Sequence, residues 1–229
     1  MNAYLVETEL FLFQSVKIAN NPLVKSIVFV FLQFRVLIIF KIMNEDIKKA
    51  IEVISKGGII LYPTDTIWGI GCDATNEDAV KRIYEIKKRS DSKAMLVLID
   101  SEVKLNYYMH EVPEIAFDLI EVSDRPLTII YPGARNIAPN LIGSDGTLGI
   151  RVTRELFSKT LCERARKPIV STSANISGEA SPRFFSEISA EIKKSVDYIV
   201  HFRQEDKTEA NPSQIIKLGV GGQIDIIRK

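Results

Sequence analysis

Residues 168–181 read Pro-Ile-Val-Ser-Thr-Ser-Ala-Asn-Ile-Ser-Gly-Glu-Ala-Ser. Apolar and β-prone residues run directly into hydroxyls, a carboxamide and a glycine. That is the profile of a buried strand delivering its end into a polar pocket. Ser171, Ser173 and Asn175 alternate, so an extended chain presents all three on one side. Two hydroxyls and a carboxamide there can donate to a phosphate or carboxylate without bringing charge of their own. The plainer reading is a strand-to-helix loop in which Ser and Asn act as caps.

Working outward, helical and strand-like segments alternate from Met43 to the end. Asn44 is placed to cap a helix with Glu45 and Asp46 in its first turn, where carboxylates suit the helix dipole. Ile47, Ala50, Ile51 and Ile54 keep helical spacing, and Gly57 is a natural terminator. A short strand follows over 58–62. The next helix runs from Asn76 to about Lys88 with Val80, Ile83 and Ile86 inward, then a strand over 94–99. The pattern continues with a helix over 113–122, strands over 127–131 and 147–152, and a helix over 155–166. After the opening stretch come a helix over 185–195 and short strands near Tyr198, Ile215 and Ile226. This alternation predicts an α/β domain with a largely buried mixed sheet.

The chain has 229 residues, 26% of them charged, and a formal net charge of +1. That length suits one domain or a domain with an appendage. The balanced charge gives no global polyelectrolyte signal, so nucleic-acid contact would need a local patch. Cys72 and Cys162 are too few and too far apart for a zinc site or disulfide framework, which points to a reducing, cytoplasmic setting. Residues 1–42 do not match the rest: they hold six of the eleven phenylalanines. Their apolar run, Ile27 to Phe40, contains Gln33 and Arg35 and falls short of the twenty or so residues of a spanning helix. No signal-peptide pattern is evident. We expect 1–42 to be an atypical hydrophobic extension outside the functional domain, translated from upstream of a start at Met43; a membrane-surface anchor is the competing idea. The functional domain is then 43–229.

Three further segments could hold chemistry. In 62–71, Tyr-Pro-Thr-Asp-Thr-Ile-Trp-Gly-Ile-Gly, Pro63 ends a strand so that Thr64 and Thr66 emerge at a sheet end. Its two glycines suggest close backbone approach, although a turn around a packed Trp68 is the unremarkable alternative. In 87–93, a helix stopping near Lys88 lets Lys87, Arg89 and Lys93 converge on one anion; cations complementing a helix C-terminus are the commoner meaning of such a run. In 146–151, Arg151 follows apolar strand residues and needs an anionic partner, either a ligand or a structural carboxylate. His110 and His201 are the only histidines, and neither sits in a metal-like or triad-like arrangement. An inventory of hydroxyls, lysines and arginines suits polyanion binding and catalysis by position and electrostatics.

These segments in this order resemble the YrdC-like family, over about Gly57 to Arg228. The resemblance rests on the 62–71 stretch, Lys-x-Arg at Lys87 and Arg89, Gly-Thr-x-x-x-Arg at Thr147 and Arg151, and Ser-x-Asn at Ser173 and Asn175. Asn211-Pro212-Ser213-Gln214-Ile215-Ile216 matches a late Pro-Ser-Thr-hydrophobic pattern. It implies a YrdC-like twisted mixed sheet flanked by helices, with a concave substrate cleft. It also implies an L-threonylcarbamoyladenylate synthase, a nucleotidyltransferase. Such an enzyme condenses L-threonine, bicarbonate and ATP, with Mg2+, releasing pyrophosphate. The product would serve threonylcarbamoyladenosine formation in tRNAs reading ANN codons.

By motif, Lys87, Arg89, Ser173 and Asn175 form the implied catalytic set. Thr66, Arg151, Ser171 and Ser213 would contact threonine; Arg89, Lys93, Thr147, Ser173, Ser181 and Arg228 would contact ATP; no resident metal ligands are assigned. The implied partner is a downstream tRNA threonylcarbamoyl transferase complex, with possible tRNA or double-stranded RNA contact and no stable membrane association. Ser90 replaces a proline common after Lys-x-Arg, and Leu98 stands where some members have a histidine. The chain resembles the short, single-domain form. Two rivals are a paralogue that binds RNA or nucleotides without synthase activity and a pure RNA-binding module; the intact Ser-x-Asn argues against the first, and salt-sensitive, threonine-independent binding would mark the second.

Overall fold

The computed structural model describes residues 22–88, 95–210, 212–219 and 221–229. Its first element, helix α1 (Pro22–Ser55), runs 34 residues without a break. The sequence predicts a new helix at Asn44, and the structure corrects this. No glycine or proline interrupts 23–55, so the helix propagates back past Met43. Pro22 takes the first helical position, where its missing N–H costs nothing. Asn44 Nδ2 donates to the Phe40 carbonyl at 2.8 Å instead of capping. The apolar run counted as too short therefore lies within a helix long and apolar enough, by length and composition, to cross a membrane.

Burial does change at Met43. Met43, Ile47, Ala50 and Ile54 are buried, whereas Phe29, Phe31, Phe34, Leu37 and Phe40 are exposed. The buried half packs on β1, on β7 and on α5. It ends where Gly57, at φ +76°, turns the chain and Gly58 N–H donates to the Val53 carbonyl at 2.9 Å.

Among the described residues, nine strands form one mixed sheet: β1 (Ile60–Tyr62), β2 (Gly69–Gly71), β3 (Leu96–Ile99), β4 (Leu127–Tyr131), β5 (Leu148–Val152), β6 (Ile169–Ser173), β7 (Tyr198–Ile199), β8 (Gln214–Leu218) and β9 (Ile224–Arg228). Their order is β7-β1-β2-β6-β3-β5-β4-β8-β9. The opening stretch supplies β6, which joins the two halves of this sheet. Ser173 and Thr172 pair with β2 on one side, and Ser171, Val170 and Ile169 pair with β3 on the other. A strand with neighbours on both edges and both faces covered reads as continuous apolar sequence until it emerges.

The other described α-helices are α2 (Glu77–Ile86), α3 (Leu105–Tyr108), α4 (Ile115–Val122), α5 (Leu156–Ala165) and α6 (Ala190–Ser195). For α2 the expected cap holds: the Asn76 side chain accepts from Ala79 N–H, and Val80 and Ile83 are buried. Lys88, at φ +49°, breaks the helix where expected. The helix predicted over 185–195 is divided. A single tight turn covers Phe185–Glu187, and Ser189 then caps α6 by accepting from Ile192 N–H.

Candidate active site

A cleft of about 620 Å³ opens over the sheet, within the range of small-molecule sites. Thr66 reaches it from the turn after β1, Ser171 and Ser173 from β6, Thr147 from just before β5, Arg151 from β5, Ser213 from just before β8, Arg228 from β9, and Ser181 from the loop after β6. Eight of the predicted site residues thus converge. Lys87 and Asn175 do not line the cleft. Arg89 and Lys93 lie outside the described residues.

The close approach predicted for the glycines is real. A Cβ on Gly71 would stand 2.5 Å from the Val170 carbonyl oxygen and 2.7 Å from the Tyr62 ring, and one on Gly69 3.3 Å from the Thr172 oxygen. The glycines let β2 press against β6 and carry Thr64 and Thr66 to the same rim as Ser171.

At one end of the cleft Arg151 is buried to 2% exposure. The sequence leaves its partner open between ligand and carboxylate; the structure supplies Asp65, whose Oδ1 lies 3.2 Å from Arg151 Nη2. Burial raises the Asp65 carboxyl above the usual aspartate range, while the charges of Arg151 and Arg203 work against that shift. Arg151 Nε is buried and has no hydrogen-bond partner among the described residues, a donor that an anionic ligand could satisfy. Arg228 donates from Nε to the Ser213 carbonyl at 2.8 Å and from Nη2 to Ser213 Oγ at 3.0 Å. Ser213 Oγ also lies 3.1 Å from Thr128 Oγ1. Burial first, then the nearby charge of Arg151, lowers the Arg228 pKa. Two guanidiniums feeling one another beside a single paired carboxylate make this end attractive to an anion.

The other end is built on the loop after β6. The extended alternation holds for Ser171 and Ser173 but fails at Asn175, because β6 ends at Ser173. Asn175 Nδ2 donates to the Ile176 and Glu179 carbonyls, at 3.1 and 2.8 Å, and so shapes the loop from within. Lys87 is also internal. Its buried ammonium donates to the Ser173 carbonyl at 2.5 Å and the Asn175 carbonyl at 2.7 Å. Its own carbonyl accepts from Ser177 N–H at 2.9 Å. The end of α2 thus clamps the loop at three points. The Lys87 ammonium is thus seated beneath the loop, against its carbonyls.

Several residues were not singled out from sequence. Asp65 sits inside the 62–71 motif, and only the buried Arg151 could have pointed to it. Thr128 lines the cleft beside Ser213 without a motif. Arg183 lines it from the loop after Ser181, paired with Glu187 and Glu209. His201 contacts Asp46 at 3.1 Å near the α1–β7 junction. Among the described residues, no group of three His, Cys, Asp or Glu could hold a metal ion. The arrangement can grip a small carboxylate at the Arg151–Arg228 end and phosphate oxygens on hydroxyls along β6.

Residues 52–229 match the family model Sua5/YciO/YrdC, described as telomere recombination. The chain is 33% identical over 157 residues to threonylcarbamoyl-AMP synthase of Pseudoalteromonas translucida, covering 67% of this chain and 84% of that protein. It is 31% identical over 176 residues to threonylcarbamoyl-AMP synthase of Hahella chejuensis, covering 76% and 95%. Among solved structures it resembles P. abyssi Sua5 complexed with L-threonine, at 29% identity and TM-score 0.67, over 75% of this chain and 50% of that one. It resembles E. coli YciO at 27% identity and TM-score 0.70, over 80% and 88%. The chain therefore spans about half the length of Sua5 and most of YciO and of these two synthases.

Proposed function

The chain belongs to the Sua5/YciO/YrdC family, and on that premise we propose that it is an L-threonylcarbamoyladenylate synthase. It is then a nucleotidyltransferase that joins L-threonine, bicarbonate and ATP into threonylcarbamoyl-AMP and pyrophosphate. The observation that carries this reading is the Arg151–Arg228 end of a hydroxyl-lined cleft that continues along β6. One end suits an amino-acid carboxylate and the other a chain of phosphates. The likeness to a Sua5 that binds L-threonine and to named synthases supports the same assignment.

The amine of threonine loses a proton and condenses with bicarbonate to give the carbamate and water. A carbamate oxygen then attacks the α-phosphorus of ATP, forming the P–O bond as the bond to pyrophosphate breaks. No protein nucleophile is required. Arg151 would hold the threonine carboxylate with its guanidinium, Thr66, Ser171 and Ser213 would orient the amino acid, and Arg228 would face the junction of the two substrates. Thr147, Ser173 and Ser181 would take phosphate or nucleotide oxygens, and Arg89 and Lys93 would add charge on the same side. Lys87 and Asn175 would keep the loop in the conformation that offers Ser173. Magnesium would arrive with the triphosphate.

The product would pass to a tRNA threonylcarbamoyl transferase complex, and the protein would act in the cytoplasm. Residues 1–42 would lie outside the catalytic unit. The test is pyrophosphate release by the purified chain with each substrate omitted in turn. Release requiring ATP, threonine and bicarbonate together is expected; ATP hydrolysis indifferent to threonine would remove the assignment.

A further inference from the structure

Arg203 belongs to no motif and does not line the main cleft, yet its guanidinium is woven into the turn that does. We propose that Arg203 is a positioning residue for the amino-acid end: it pins the Thr64 carbonyl, and through that turn sets Thr66 and the Asp65 carboxylate that holds Arg151. This rests on the synthase reading only for which substrate the cleft end receives.

The geometry is specific. Arg203 Nη1 donates to the Thr64 carbonyl at 3.0 Å. Nε donates to Asp206 Oδ2 at 2.9 Å, and Glu155 Oε1 lies 3.5 Å from Nη1. Both carboxylates are fixed elsewhere: Asp206 Oδ1 accepts from Thr208 N–H at 2.9 Å, and Glu155 Oε2 caps α5 by accepting from Ser158 N–H at 2.8 Å. The fork therefore has one orientation, and it aims at Thr64. On the far side of that carbonyl the turn is closed by hydroxyls. Thr64 Oγ1 donates to the Ile67 carbonyl at 2.8 Å, accepts from Thr66 N–H at 3.1 Å and lies 3.1 Å from Thr66 Oγ1. Displacing Thr64 thus moves the Thr66 hydroxyl and swings Asp65 away from Arg151.

The backbone is consistent with a fixed brace. Arg203 sits at φ +68°, a conformation glycine adopts without cost and arginine does not. It is held there by neighbours, with Phe202 stacked on Phe157 at 5.8 Å and Phe202 N–H donating to Asp46 at 2.7 Å.

Arg203→Gly separates brace from strain, because it relaxes the backbone while deleting the guanidinium. The full chain carrying this change is compared with the parent in pyrophosphate release, titrating threonine and ATP separately. A rise of about tenfold in threonine KM is expected, the loss of one charged hydrogen bond, with ATP KM within about twofold. Millimolar guanidinium is expected to restore part of the loss. An unchanged threonine KM, or an equal rise in both KM values without rescue, would overturn the proposal. Trp68, the one tryptophan in the chain, lies at the end of the same turn and reads it without any activity. If the parent proves inactive, the synthase reading fails alone. A shifted Trp68 emission in the variant, with helix content retained, then upholds the brace, and unchanged emission overturns it.

Discussion

The two ends of the cleft are stabilised by opposite means. At the Arg151 end, charge faces the cavity and is set by side-chain ion pairs: Asp65 behind Arg151, Asp206 and Glu155 around Arg203. At the β6 loop end, the described cleft wall offers hydroxyls beside Arg183, whose charge is paired with Glu187 and Glu209, and the Lys87 ammonium lies beneath it on backbone carbonyls. A carboxylate of fixed size can be met by a cation in direct contact. A flexible polyphosphate is better met by many neutral donors whose backbone is rigidly held. The difference predicts that damage at the loop end spreads to the whole site, whereas damage at the arginine end stays with one substrate.

Lys87→Ala should break the loop end and give the largest effect. Two buried carbonyls would lose their donor, at about 1–3 kcal/mol each, so the melting temperature should fall clearly. Activity should drop by roughly 100-fold or more through both substrates, since displaced Ser173 serves a shared site. Thermal melts beside steady-state pyrophosphate release check this. A variant with normal stability and only a raised ATP KM would return Lys87 to direct phosphate contact.

Arg151→Lys comes next and should stay local. Lysine keeps the charge but not the fork. A loss of one to two charged hydrogen bonds gives a threonine KM raised about 10- to 100-fold with ATP KM nearly unchanged. Equal rises for both substrates would erase the distinction between the ends.

Asp65→Asn is gentler, about three- to tenfold in threonine KM, because the amide keeps the size of the side chain beside Arg151 and removes only the paired charge. It also carries a pH signature. Burial raises the Asp65 carboxyl, so as pH falls the carboxylate is neutralised earlier than an ordinary aspartate, and Arg151 loses its anchor. Threonine KM of the parent should climb on acidification over that range; in the Asn variant the climb should be absent.

Much of this was legible in sequence because it depends on local chemistry. Alternation identified Ser171 and Ser173, the two glycines of 62–71 pointed to a close backbone approach, and Asn76 and Lys88 bounded α2 as expected. What was not legible depended on where strands end and on who faces whom across the sheet. Asn175 looked continuous with Ser173 until the end of β6 turned it inward. Asp65 and Arg203 are distant in sequence from the arginine and the turn they hold, and no period or motif encodes that pairing. Helix α1 failed for the converse reason: local propensity carried it through Met43, where the capping pattern alone suggested a start.

The smallest effect is expected where neither end is touched. The two halves of α1 are equally helical, but only one is buried. Met43, Ile47 and Ile54 contribute through apolar burial of about 1.5–3 kcal/mol for each large side chain, and all three remain when residues 1–42 are deleted. Among its described residues the deleted part exposes ten large apolar side chains between Leu23 and Ile42, which add nothing to the stability of the domain while they face water. Deletion should therefore leave kcat/KM for both substrates within about twofold and the melting temperature nearly unchanged, and light scattering should report less self-association. Flotation of the full chain with anionic vesicles provides the matching check on a helix long and apolar enough to cross a membrane: with 1–42 outside the working unit, the protein is expected to stay in the soluble fraction. Loss of activity on deletion, or stable flotation, would place 1–42 within the working unit and make α1 a third region to be compared with the two ends of the cleft.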